Sequence, residues 1–305
     1  MSAPATALQN AAPPPARLDA GAPVKSARRG LDRRRLFLWS LPILFFIAAA
    51  IFGPYFFPYD SLQVRTGDRL EPPGAILSDG SRAWLGTDKV GRDILAQVLE
   101  GARISLVVGG ATIVLAGSIG LALGVIAGYR GGFADSFLMR LADIQLAFPS
   151  ILLAILIAAV LGPSVMNVIL TLSLTRWVIF GRVSRAATLA AKEREYVLAA
   201  RSSGAATTRM LLKHVIPATL PPLIVVATVE VGLVIIAEAS LSFLGLGVPA
   251  GQPSWGQMVA IGRDNLNNAW WMATMPGAAL SLVVLAIGLF GDQLRDELDP
   301  RARRK

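Results

Sequence analysis

Apolar and polar positions are sorted along this chain into long blocks. Apolar stretches run over residues 36–57, 104–128, 144–162, 164–180, 217–241 and 270–290. Most approach the ~20 residues that a helix rising 1.5 Å per residue needs to cross a hydrocarbon layer of ~30 Å. Six membrane-spanning helices are therefore predicted, in an all-α polytopic fold. Arg176 interrupts the fourth: either it snorkels from the cytoplasmic end of a span, or the segment is re-entrant. Residues 1–30 are rich in Ala and Pro without apolar periodicity and read as a disordered cytoplasmic tail. Residues 58–103 form a polar external loop with turn residues Pro72, Pro73, Gly74, Asp79 and Gly80. Its second half sets Ile94, Leu95, Val98 and Leu99 at helical spacing, which predicts a short amphipathic helix on the outer membrane face or a plain packed loop helix. The organisation expected is a tail over 1–30, a first span with external loop over 31–103, and a five-helix core over 104–305 that carries a cytoplasmic loop over 182–217.

Composition supports lipid as the solvent: 54% of residues are hydrophobic, 16% are charged, and the mean hydropathy is +0.57. The net charge of +9 is compatible with nucleic acid, anionic lipid or a topology signal. Its distribution decides. With the N-terminus inside, Lys and Arg in the four cytoplasmic segments outnumber those in the external ones by about three to one, as the positive-inside rule requires, so no nucleic-acid partner is needed. Both termini are then cytoplasmic.

Cysteine is absent and His214 is the single histidine, which removes thiol catalysis, disulfides and Cys/His metal sites. No nucleophile–base set is present, so an enzyme is not expected. No Gly-Lys dipeptide occurs either, and a phosphate-binding loop of the Walker type needs that lysine. Neither a cofactor nor a metal is expected.

Ala116, Gly120, Gly124 and Gly128 recur every four residues and give the second span a face that a neighbouring helix can approach closely, in this chain or in another. Glu230 and Glu238 lie eight residues apart in the fifth span. An ionised carboxylate at the bilayer centre costs on the order of 2.5 to 3.5 kcal/mol, so the two together cost about what the aliphatic residues of that span return. The glutamates should thus face protein or water. They either line a translocation pathway, where Glu230 meets the positive end of a solute, or pair with Arg176 and cap backbone groups. Asp143, at the start of the third span, is an interfacial residue or a third pathway residue.

The cytoplasmic loop contains Glu195-Tyr196-Val197-Leu198-Ala199-Ala200-Arg201-Ser202-Ser203-Gly204. Alanines favour a helix, Gly204 permits a sharp turn, and Pro217 is expected to end the following helical run. The element is a structural connector or a small-residue surface made to dock in a groove of another protein. At these residues the chain resembles the membrane subunits of binding-protein-dependent ABC importers, whose loop carries a Glu-Ala-Ala, three residues, Gly motif. Ala199, Ala200 and Gly204 match; Leu198 stands at the Glu position, with Glu195 one helical turn away.

Further stretches narrow the resemblance to the C-type permease of dipeptide/oligopeptide (and nickel) importers. They are Leu85-Gly86-Thr87-Asp88, Gly91-Arg92-Asp93, Gly101 to Leu106, Leu241 to Gly247, Ser254-Trp255-Gly256, Gly291 to Asp296 and Leu298-Asp299-Pro300. Arg140, Asp143 and Pro149 also sit as in that family's third span, whereas Gly288 departs from its usual Asn.

The resemblance implies a type I importer permease in the bacterial inner membrane. It also implies a second homologous permease, two ATPase subunits that grip Glu195, Leu198, Ala199, Ala200, Gly204 and Pro217, an external substrate-binding protein, and peptides as cargo. The alternatives are a nickel or other small-solute permease of the same family, or a proton-coupled secondary transporter in which Asp143, Arg176, Glu230 and Glu238 relay protons.

Overall fold

The computed structural model describes residues 33–56, 63–249 and 251–298. The expected tail over 1–30 and the Asp299-Pro300 end of the C-terminal motif lie outside the described residues. Ten helices follow in order: α1 (Arg33–Phe56), α2 (Ile94–Arg130), α3 (Gly132–Leu146), α4 (Ser150–Leu161), α5 (Val165–Lys192), α6 (Glu195–Ser202), α7 (Thr207–Met210), α8 (Ile216–Phe243), α9 (Trp255–Arg263) and α10 (Trp271–Leu298). A two-stranded hairpin, β1 (Ala75–Ile76) and β2 (Arg82–Ala83), lies in the loop between α1 and α2.

Among the described residues, four helical runs are long and apolar enough to cross a membrane: Ile94–Arg130, Val165–Lys192, Thr207–Phe243 and Trp271–Arg295. The pair α3 and α4 makes a fifth crossing if taken as one bent span. The sixth expected span is α1, a helix with a shorter apolar stretch over Phe37–Gly53 that lies against α2 and α10.

Several sequence expectations are corrected. The amphipathic segment at Ile94 is no separate helix, because it opens α2. Asp93 caps this helix by accepting a hydrogen bond from the Ala96 amide at 2.9 Å, and no proline or helix-ending turn follows until Arg130. The division expected between residues 103 and 104 therefore falls inside a helix. Ile94, Val98 and Ala102 pack with Phe46, Ile235, Trp255 and Met272 in one buried cluster. Trp255 buries its ring there and its Nε1 donates to the Val98 carbonyl at 3.0 Å.

The third span is not continuous over 144–162. Helix α3 stops at Leu146 and α4 starts at Ser150, with their axes bent by 88°. Pro149 is the cause: it disfavours helical backbone at Phe148 and itself sits extended at ψ 123°. The fourth span runs on past Phe180 to Lys192, so it is a through-going helix and not a re-entrant one, and the loop after it is shorter than 182–217. Pro217 does not end a helix. A single wide π turn at Leu211–Val215 absorbs the missing amide, and the chain remains helical from Thr207 to Phe243.

The small-residue face of α2 packs within this chain, against α5. A Cβ added to Gly120 would lie 2.7 Å from the Trp177 carbonyl oxygen, and one added to Gly128 would lie 2.9 Å from that of Arg185. The backbones touch directly, as small residues at four-residue spacing allow. Because Gly128 meets Thr188 while Gly120 meets Trp177, the two helices run parallel. The C-terminal ends of α2 and α5, and with them α6, therefore share one end of the molecule, and the loop over 63–93 caps the other.

That loop is fixed by buried polar contacts. Thr87 Oγ1 donates to the Asp68 carbonyl at 2.6 Å and accepts from the Glu71 amide at 2.8 Å, while Trp271 Nε1 of α10 donates to the Thr87 carbonyl at 3.0 Å. Asp88 accepts from the Val90 and Arg92 amides, both at 2.9 Å. Burial pushes the Asp93 carboxyl above its usual range, against the opposing pull of the amide it caps. The signature Leu85-Gly86-Thr87-Asp88 and Gly91-Arg92-Asp93 thus works as the scaffold of the loop.

Candidate functional site

Helix α6 stands out from the body. Val197 is its one buried residue, at 3% exposure, and anchors it, while Glu195, Tyr196, Leu198 and Ala199 face outward and Ala200 is half-buried. The helix ends at a glycine cap. Gly204 takes φ +76°, its amide donates to the Arg201 carbonyl at 3.0 Å, and the Ala205 amide donates to that of Ala200 at 3.1 Å. These bonds satisfy carbonyls that a helix terminus leaves open, in a conformation that favours glycine. The chain then reverses into α7, and Tyr196 packs on His214 with ring centroids 5.8 Å apart.

Leu198 is 43% exposed, so the position where the motif has Glu offers an apolar contact instead. Arg194, Arg201, Arg209 and Lys213 are exposed around the knuckle. Pro217 lies just beyond the wide turn, at the start of α8.

Alongside runs a cavity of about 850 Å³ between α5 and α8. Ile179, Val183, Ala187 and Ala190 form one wall; Ala218, Pro222, Val225 and Val229 form the other. Arg194 and Arg295 also line it, and Glu230 ends the α8 wall. Glu230 is only 3% exposed and pairs with Arg176 Nη1 of α5 at 3.4 Å.

The three acidic residues grouped from sequence along one path come to three separate places. Glu230 opens onto the cavity. Glu238 is wholly enclosed and accepts hydrogen bonds from Ser105 of α2 at 3.0 Å and Ser242 at 2.8 Å. Eight residues turn a helix about 80° beyond two full turns, enough to give the two glutamates different neighbours. Asp143 is exposed, pairs with Arg182 at 2.5 Å and borders a second cavity with Met139 and Arg185. Sequence reasoning anticipated the Arg176 pairing as one reading. It missed Ser105 and Ser242, as well as the Asp135–Arg185 pair, because nothing local in a sequence reports contacts between distant helices.

Apolar helices long enough to cross a membrane, with the short exposed helix α6 at one end and a cavity beside it, give the chain the architecture of a polytopic membrane protein. Residues 120–304 match the family described as binding-protein-dependent transport system inner membrane component, and the chain belongs to that family. It is 41% identical over 261 residues to the di/tripeptide transport system permease protein DppC of Pseudomonas aeruginosa (strain UCBPP-PA14), covering 86% of each chain. It is 39% identical over 295 residues to the dipeptide transport system permease protein DppC of Alkalihalophilus pseudofirmus, covering 96% of this chain and 95% of the relative. Among solved structures it resembles a chain of the MetNI methionine ABC transporter in an inward-facing form. The TM-score there is 0.54 at 17% identity, over 67% of this chain and 97% of the other, a likeness of fold. A self-contained proton-coupled carrier is displaced by this membership.

Proposed function

We propose that the chain is a permease of an ATP-driven importer that carries di- or oligopeptides inward across the bacterial inner membrane. The observation that carries the reading is α6: an exposed short helix, held by Val197 and closed by the Gly204 cap, projecting from a body otherwise built of apolar spans. Such an element suits insertion into a groove of a separate protein. Relatives named for dipeptides and di/tripeptides, matched over most of both chains, support peptide as the cargo.

In this reading the α6 end is cytoplasmic, both termini lie on that side, and the scaffolded loop faces outward. Two ATPase subunits serve the complex, one of them receiving Glu195, Leu198, Ala199, Ala200 and Gly204, with Pro217 setting where α8 begins behind them. A second homologous permease completes the route, and an external binding protein delivers the peptide. Closure of the ATPases pushes α6, and the spans rock to alternate access, a rigid-body change of the hinge or shear kind. Glu230 lines the route; Glu238 ties α8 to α2, and Asp143 ties α3 to α5.

Reconstitution tests this. Proteoliposomes containing the full complex should take up dipeptide only with ATP and binding protein present. Uptake by the purified chain alone, with no other subunit, would end the proposal.

A further inference from the structure

Helix α5 carries three arginines that pair with carboxylates, and they are not alike. Arg185 grips Asp135 with both Nε and Nη2, the latter at 2.6 Å, and Arg182 meets Asp143 at 2.5 Å. Both are close, charge-assisted contacts of the kind that hold helices together. Arg176 meets Glu230 through a single atom pair at 3.4 Å, and its Nε is buried without a hydrogen-bond partner. This is the most enclosed of the three pairs on its carboxylate side, where loose geometry is least favourable to stability.

Its position accounts for the looseness. Arg176 continues the α5 stripe of Ile179, Val183, Ala187 and Ala190, at spacings of three and four residues, and Glu230 ends the α8 wall. The two apolar walls of the cavity thus run up to Glu230, which lines it, with Arg176 beside it on α5 as its ion-pair partner. A lone charge at such a site would attract solutes of one sign and repel the other, strongly because apolar walls screen poorly. Two opposite charges side by side largely cancel at a distance.

We infer that the Arg176–Glu230 pair tunes the charge selectivity of the route, Arg176 offsetting the one carboxylate that lines the cavity so that the pair itself favours neither cationic nor anionic peptides. The inference rests on the proposed peptide cargo. Arg194 and Arg295, which line the cavity with Glu230, are the same in every variant compared, so their contribution cancels when one variant's ratio is divided by another's.

The test uses the full complex with one binding protein and compares uptake of dipeptides bearing Lys, Ala or Glu. Glu230→Gln should lower the ratio of cationic to anionic uptake on the order of tenfold, and Arg176→Gln should raise it similarly, the scale of one uncompensated charge. The double variant should return toward the wild-type ratio. Equal losses for all three peptides, at unchanged abundance of the complex, would reduce the pair to a structural tie and overturn the inference.

Because the chain has no cysteine, Val229→Cys places a single thiol in the cavity wall next to Glu230. Cationic and anionic methanethiosulfonate reagents, corrected for intrinsic reactivity, should modify it at a rate ratio that Glu230→Gln lowers and Arg176→Gln raises, a comparison in which Arg194 and Arg295 cancel. A ratio that neither substitution moves overturns the inference; where the neutral variants fail to accumulate, Arg176→Lys keeps the charge and should leave the ratio as it is, and a large shift there overturns it as well. If the wild-type complex takes up no peptide, the proposed cargo fails, and the reagent ratio still decides the electrostatic claim.

Discussion

Substitution at Gly204 separates backbone strain from steric interference at the docking surface. Its φ of +76° lies where an L-residue costs about 1–2 kcal/mol, so Gly204→Ala and Gly204→Trp carry a similar conformational cost. Nothing lies within 4 Å of a Cβ built there, so the first atom of either side chain meets no clash within the chain. The variants therefore differ in what projects outward from the end of α6, into the space assigned to the ATPase. Both should show similar small losses in the melting temperature of the detergent-purified permease. Gly204→Ala should retain most ATPase co-purification and peptide uptake, whereas Gly204→Trp should lose most of both. Wild-type uptake by a stably assembled Gly204→Trp complex would refute the docking role. Equal damage from both variants would place the effect in the turn itself and refute the steric argument.

Gly124→Val should destabilise the body, because a Cβ there would lie 2.7 Å from that of Ser184 and 2.9 Å from the Arg185 amide nitrogen. Forcing α2 from α5 should cost about 1–3 kcal/mol or more, read as a lowered melting temperature and reduced membrane abundance. Glu238→Leu should leave Ser105 and Ser242 without their buried acceptor and cost about 1–3 kcal/mol, while Glu238→Gln should recover much of that through its amide oxygen. Thermal stability of the two variants checks the order, and a Leu variant as stable as the Gln variant would contradict it.

The spans were legible because a run of apolar residues long enough to cross lipid is a signal that no distant contact is needed to interpret. The glycine cap at Gly204 was legible for the same reason: a left-handed residue after a helix is a local requirement. What failed involved competition between local rules and neighbours. Pro217 reads as a stop, yet one wide turn before it lets the helix continue. Pro149 drew notice only as part of a motif, although it breaks the third span. Ile94 to Leu99 read as a helix on the membrane surface or packed in the loop, because apolar residues at helical spacing look alike whether they face lipid or the Trp255 cluster. The Glu238–Ser105 bond joins residues 133 apart in sequence, and no local pattern announces such a partner.

The wide turn at Leu211–Val215 has a geometric corollary for the knuckle. One surplus residue in a helix advances its phase by about 100°, so the azimuth at which α6 and α7 present themselves is offset from the one an unbroken helix would impose. Excising a single residue there would wind the rod tight and swivel the plug away from the socket proposed for it, with every side chain of the plug still in place.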